Sequence, residues 1–125
     1  MATIVIGEDN ADLRDALGMI FRRAGHDVTT ASDGPTCLET VRDHQPDLLV
    51  VDVSMPGMTG LEVCRAIRAD EELAELPILM VSAWATVGDA QAGRVAGAGE
   101  YVAKPFNTAD LLARADRLIN RHEKG

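Results

Sequence analysis

Positive charge is what this chain most lacks: 12 Lys and Arg stand against 20 Asp and Glu, leaving a net charge of −8 over 125 residues. Binding nucleic acid through its phosphates needs a basic stripe or patch, and none offsets the acidic balance, so direct contact with DNA or RNA is not expected. Long apolar runs are missing too. None approaches the roughly twenty residues that cross a bilayer. The opening Met1-Ala2-Thr3 has no basic segment ahead of a long apolar one, so neither membrane insertion nor a secretory leader is expected and the chain reads as cytoplasmic. Cysteine is limited to Cys37 and Cys64, in helix-patterned segments without the histidine spacing of a metal site; both read as small buried residues. His26, His44 and His122 are scattered. No linker, repeat or low-complexity tail interrupts the chain, and its length suits one core. Residues 1–125 are therefore expected to form a single domain with no output domain attached.

What is present is a regular alternation of strand and helix patterns. Thr3 to Ile6 reads as a short apolar strand. From about Ala11 the residues Leu13, Leu17, Ile20, Phe21 and Ala24 recur at helical spacing up to Gly25. Val28 to Ala31 reads as the second strand, and Asp33-Gly34-Pro35 opens a helix with Cys37, Leu38 and Val41 on one face. The run Leu48-Leu49-Val50-Val51 stops at Asp52. A third helix follows Gly57 and Gly60 with Leu61, Cys64 and Ile67; Pro77 then introduces a strand over Ile78 to Val81 that ends in Ser82. Gly88 to Gly97 predicts a marginal fourth helix, because Gly93 lies inside it and its apolar stripe is only Ala90 and Val95. Tyr101-Val102-Ala103 forms a fifth strand, and Asn107 or Thr108 caps a last helix turning Leu111, Leu112, Ala115, Leu118 and Ile119 inward.

Strands joined by helices of this length need right-handed crossovers, which give a parallel sheet covered on both faces, an α/β fold. All strand ends then share one edge, where open α/β folds keep their chemistry. Along it fall Glu8 and Asp9 after the first strand, Asp52 at the third, Ser82 at the fourth and Lys104 after the fifth. Asp52 is a candidate nucleophile or metal ligand. Three carboxylates at one edge raise one another's pKa unless a cation lies among them, so a divalent ion is implied, and all-oxygen ligation suits Mg2+. Such an ion makes phosphoryl chemistry plausible.

The ordered set Glu8-Asp9, Asp52 with Met55-Pro56-Gly57 and Gly60, Ser82-Ala83, and Tyr101 ahead of Lys104-Pro105-Phe106 closely resembles the receiver domain of bacterial two-component response regulators. The resemblance covers nearly the whole chain. It implies a five-stranded sheet in the order 2-1-3-4-5, doubly wound and flavodoxin-like. It also implies that Asp52 is the phosphoacceptor, taking its phosphoryl group from a sensor histidine kinase or a histidine phosphotransfer protein. Asp9 and Asp52 would hold Mg2+ directly, Glu8 through water, and the backbone carbonyl of Ser54 would complete the protein ligands. Lys104, Ser82 and the backbone N–H of Ala83 would contact the phosphoryl group, while Ser82 and Tyr101 would act together as the switch. Ser54 and Trp84 occupy positions that modulate acyl-phosphate hydrolysis. Such a domain catalyses its own phosphorylation and dephosphorylation without being a conventional enzyme.

The implied partners are the phosphodonor, docking on the first helix near Arg14 and Arg22, and a downstream protein on the face of helix 4, strand 5 and helix 5; a phosphorylation-dependent dimer belongs to the same scheme. A cis peptide is expected at Lys104-Pro105. Glu8 stands where Asp is commoner, and Ser82 where Thr is frequent. Two other classes fit less well: a phosphorylation-independent scaffold would not need the intact acids, Ser82 and Lys104, and an aspartyl phosphohydrolase would want an acid where Ser54 stands. A flavodoxin would have Glu8 and Asp9 repelling the phosphate of its flavin.

Overall fold

The computed structural model describes residues 1–84 and 86–124. Five strands alternate with five helices: β1 (Thr3–Gly7), α1 (Ala11–Arg23), β2 (Asp27–Ala31), α2 (Gly34–His44), β3 (Leu48–Asp52), α3 (Gly60–Ala69), β4 (Ile78–Ser82), α4 (Val87–Ala96), β5 (Glu100–Ala103) and α5 (Thr108–Lys124). The strands form one parallel sheet in the order β2-β1-β3-β4-β5, as the resemblance implied. No helix among the described residues is long and apolar enough to cross a membrane.

Alternation along each strand divides the core into two layers. Val5, Leu49, Val51, Ile78 and Met80 face one way, against Cys37, Val41, Val63, Cys64 and Ile67 of α2 and α3. Ile4, Ile6, Leu48, Val50, Leu79 and Val81 face the other, against Leu17 and Phe21 of α1 and Leu111, Ala115, Leu118 and Ile119 of α5. Because both faces are covered, the central strands are continuous apolar runs. Both cysteines are buried, and burial pushes the Cys37 thiol up to about 12 and Cys64 up to about 11, so each acts as a small apolar side chain.

Local hydrogen bonds set the helix starts. Asn10, Asp33, Thr59 and Thr86 each accept from the backbone N–H three residues on. At α5 it is Asn107 rather than Thr108 that caps, accepting from Asp110 N at 3.1 Å. α4 departs from expectation in its inward face. Val95 is 78% exposed, Ala90 is only half-buried, and the buried residues are Gly93 and Ala96. A Cβ on Gly93 would lie 2.8 Å from the Tyr101 ring and 3.2 Å from Met80 Sδ. The glycine therefore weakens the helix and at the same time lets it approach β5 closely.

Candidate functional site

Strand geometry brings the acids together. β1 and β3 are paired neighbours, so the residues leaving their carboxyl ends emerge side by side. Glu8 N donates to Ala31 O at 3.0 Å, which carries the chain one residue past β1 before Asn10 starts α1 and leaves Asp9 at the rim. On the other side, Gly60 packs directly beneath Asp52, where a Cβ would come within 2.2 Å of the Asp52 carbonyl oxygen. The carboxylate oxygens of Glu8, Asp9 and Asp52 can all lie within 4.8 Å of one another.

Lys104 reaches this group from the end of β5. Its Nζ lies 2.8 Å from Glu8 Oε1 and 2.8 Å from Asp52 Oδ2, bridging residues far apart in sequence. Glu8 and Asp52 are otherwise sealed, at 1% and 6% exposure, whereas Asp9 is exposed. The free oxygens of the buried acids are also engaged: Glu8 Oε2 accepts from Asn10 N and Asp52 Oδ1 from Ser54 N, each at 3.2 Å. The Lys104–Pro105 peptide is cis, as expected.

Burial dominates the electrostatics of Glu8 and lifts its pKa from 4.5 to about 7; the hydrogen bonds from Lys104 and Asn10 oppose the rise and the Asp52 charge adds to it. Burial alone would lower the Lys104 pKa, but its hydrogen bonds to Asp52 and Glu8 outweigh that and hold it above its ordinary value. Three carboxylates against one ammonium leave two negative charges when all are ionised. That surplus, and a donor set made wholly of oxygen, fit a hard divalent cation.

Ser82 and Tyr101 are tied to each other through Trp84. Ser82 is buried, and its Oγ accepts from Trp84 N at 3.0 Å, while the half-buried Tyr101 donates its hydroxyl to the Trp84 carbonyl. Lys104 N donates to Ser82 O at 2.8 Å, fixing the two strand ends to each other. Ala83 is exposed and lines a cleft of about 520 Å³ with Leu13, Lys104, Pro105 and Phe106, so Lys104 opens toward solvent on that side. Glu8, Asp9, Asp52, Lys104 and the Ser54 N–H therefore form one cluster. Ser82, Trp84 and Tyr101 form a second, and Ala83 lies at the mouth of the cleft.

Several contributors escaped the sequence reading. The capping boxes Thr59/Glu62 and Thr86/Asp89 carry a visible signature, Thr-x-x-Glu and Thr-x-x-Asp. Arg14, on the helix expected to receive the phosphodonor, also donates from Nη1 to Glu8 O at 3.1 Å and Asp9 O at 3.4 Å. Arg22 likewise donates to Val28 O at 3.2 Å. Nothing in local pattern announces where such long side chains turn.

Comparison with known proteins gives a consistent result. The family model for the response regulator receiver domain matches residues 4–116. Among curated relatives, the DNA-binding response regulator MtrA of Mycobacterium tuberculosis is 36% identical over 120 residues, covering 96% of this chain and 51% of the relative. The chain thus spans about half the length of the curated relatives it matches. Among solved structures, the chemotaxis response regulator CheY4 of Vibrio cholerae is 32% identical with a TM-score of 0.89, covering 94% of this chain and 98% of that one. The receiver domain of a Pseudomonas aeruginosa sensor histidine kinase, crystallised with a magnesium ion coordinated in its active-site cleft, is 30% identical with a TM-score of 0.89, covering 95% and 98%.

Proposed function

The chain belongs to the response regulator receiver domain family and is a module of phosphorelay signalling, and we propose that it takes a phosphoryl group on Asp52 from a sensor histidine kinase or a histidine phosphotransfer protein. An Asp52 oxygen attacks phosphorus, the bond from phosphorus to the donor imidazole breaks, and an acyl phosphate remains. A carboxylate is a weak nucleophile, so positioning and charge neutralisation supply most of the acceleration. Supporting this is the Lys104 ammonium, 2.8 Å from Asp52 Oδ2, which needs only a small shift to meet a phosphoryl oxygen. Glu8, Asp9, Asp52 and the Ser54 carbonyl would hold Mg2+, which when bound neutralises the charge shared by phosphoryl group and nucleophile. The Ser82 hydroxyl, once turned from Trp84 N toward the phosphoryl group beside the Ala83 N–H, would release one of the two bonds on the Trp84 backbone. Tyr101, holding the other bond, would feel that change, which would couple phosphorylation to the face of α4, β5 and α5.

Output through protein contacts on that face suits the net charge of −8; DNA binding belongs to relatives of which this chain covers about half. The phosphodonor would dock at the α1 side, and a dimer formed on phosphorylation would use the output face. The chain's lack of a membrane-crossing helix among its described residues fits a cytoplasmic site of action.

The observation that carries the reading is Lys104 bridging two acids inside a three-carboxylate nest. Incubation with acetyl phosphate and Mg2+, followed by intact-mass spectrometry, should give one labile phosphoryl adduct that hydroxylamine removes. Asp52→Asn should give none, and an adduct that survives this change or ignores Mg2+ sinks the proposal. Trp84→Ala should shorten the adduct's lifetime if the indole shields it from water.

A further inference from the structure

Of the three acids in the nest, two are held by their own side chains and one is not. Glu8 is bound by Lys104 Nζ and Asn10 N, and Asp52 by Lys104 Nζ and Ser54 N. Among the described residues no hydrogen bond holds the Asp9 carboxylate, which is exposed at the rim. Its place is set by the backbone beneath it, and that backbone is gripped from one side by a single guanidinium.

From this geometry we propose that Arg14 is a positioning residue for the metal site, an inference that rests on the phosphoacceptor reading above. Its Nη1 donates to the carbonyls of Glu8 and Asp9 together, at 3.1 and 3.4 Å. Two successive carbonyls sharing one donor fix both peptide planes that flank the Asp9 Cα, and so fix the direction in which its side chain leaves. The shorter bond is the stronger of the two, and the longer one is weak by itself. Arg14 sits in the first turn of α1, and its own N–H donates to Asn10 O at 2.8 Å, so the clamp is anchored to the helix that Asn10 caps. Arg14 thereby acts on the cation through the acid pair and touches neither the cation nor the phosphoryl group. Its Nη1 is bound to this chain, while the side chain as a whole is only half-buried.

The test compares wild type with Arg14→Met, which keeps an apolar stem without donors, and Arg14→Lys, which keeps one donor group and the charge. Equilibrium Mg2+ binding is followed through the fluorescence of Trp84, the only tryptophan, and thermal melting is recorded without metal. Arg14→Met should bind Mg2+ roughly tenfold more weakly, the scale seen when an outer partner of a metal ligand is removed, with Arg14→Lys recovering part of the loss. Melting in the absence of metal should stay within a few degrees of wild type, since Arg14 is only half-buried. A responsive wild type matched by Arg14→Met overturns the clamp alone, as does a loss of Mg2+ affinity that tracks an equal loss of metal-free melting. If the wild type shows no Mg2+ response, the phosphoacceptor reading falls, and the clamp falls with it.

Discussion

α3 and α4 begin alike and end differently. Each spans ten residues, each follows a strand whose last residue is polar, and each opens with a threonine capping box. Yet α3 buries Val63, Cys64 and Ile67, whereas α4 buries only Gly93 and Ala96 and leaves Val87 85% and Val95 78% exposed. Identical local instructions therefore give two helices of very different anchorage. What separates them is the apolar surface removed from water. The well-anchored helix follows Asp52, the proposed phosphoacceptor, and steadies its strand; the loosely anchored one follows Ser82 and lies against Tyr101, where weak anchorage would serve the proposed switch.

The largest expected contrast is in the core. Ile67→Ala should lower the unfolding free energy by about 2–5 kcal/mol, and Val95→Ala by no more than about 0.5 kcal/mol, in urea titrations; equal losses would erase the distinction between the helices. Next comes pH, read on metal-free protein. Folding raises the Glu8 pKa from 4.5 to about 7, so the folded state holds more protons between those values. The contribution of Glu8 is fully present below 4.5 and is lost as pH rises through 7, a decline of roughly 3 kcal/mol at most. Glu8→Gln should flatten it. Opening of α4, measured by amide exchange corrected for intrinsic pH effects, should not follow this decline, because Glu8 makes no bond to that helix.

A smaller effect joins the two helices. Arg68 of α3 donates to Gly97 O from Nε and Nη2, at 3.0 and 2.8 Å, and to Ala74 O from Nη1 at 3.0 Å. Arg68→Ala should cost about 1–3 kcal/mol and speed exchange in α4 more than in α3. The smallest effect tests the caps. Thr59→Ala and Thr86→Ala each remove about 1 kcal/mol locally, but the first should appear in global unfolding and the second mainly in the exchange of α4. The same global cost from both would mean that α4 unfolds only with the whole domain.

How much was legible follows from how far each signal reaches. Helix 1 was readable because Leu17 and Phe21 repeat at the period of one turn and Gly25 stops it. The third strand was readable because Leu48 to Val51 are buried on both faces. The acids and Lys104 were legible as strand ends, and the resemblance supplied their order across the sheet. In α4 the pattern misled: Val95 looked inward by spacing, whereas the helix turns its small residues to β5 because the Tyr101 ring occupies the space a side chain would need. The grip of Arg14 was not legible for a related reason, since a long side chain on an amphipathic helix can turn to solvent or to its own backbone and the sequence does not distinguish them.

By itself, then, the sequence determined the alternation of elements, the apolar runs of the central strands, and the presence of three acids, a serine and a lysine at one edge. Those properties are set by neighbours three or four positions away and by the two-residue period of a strand. Tertiary structure alone decided that Lys104 Nζ touches both Glu8 and Asp52, 96 and 52 residues distant, that burial lifts the Glu8 pKa to about 7, and that Arg14 grips the loop bearing Asp9. Contacts of that reach depend on strand order and on the water excluded when the layers close, and no short stretch of chain encodes either.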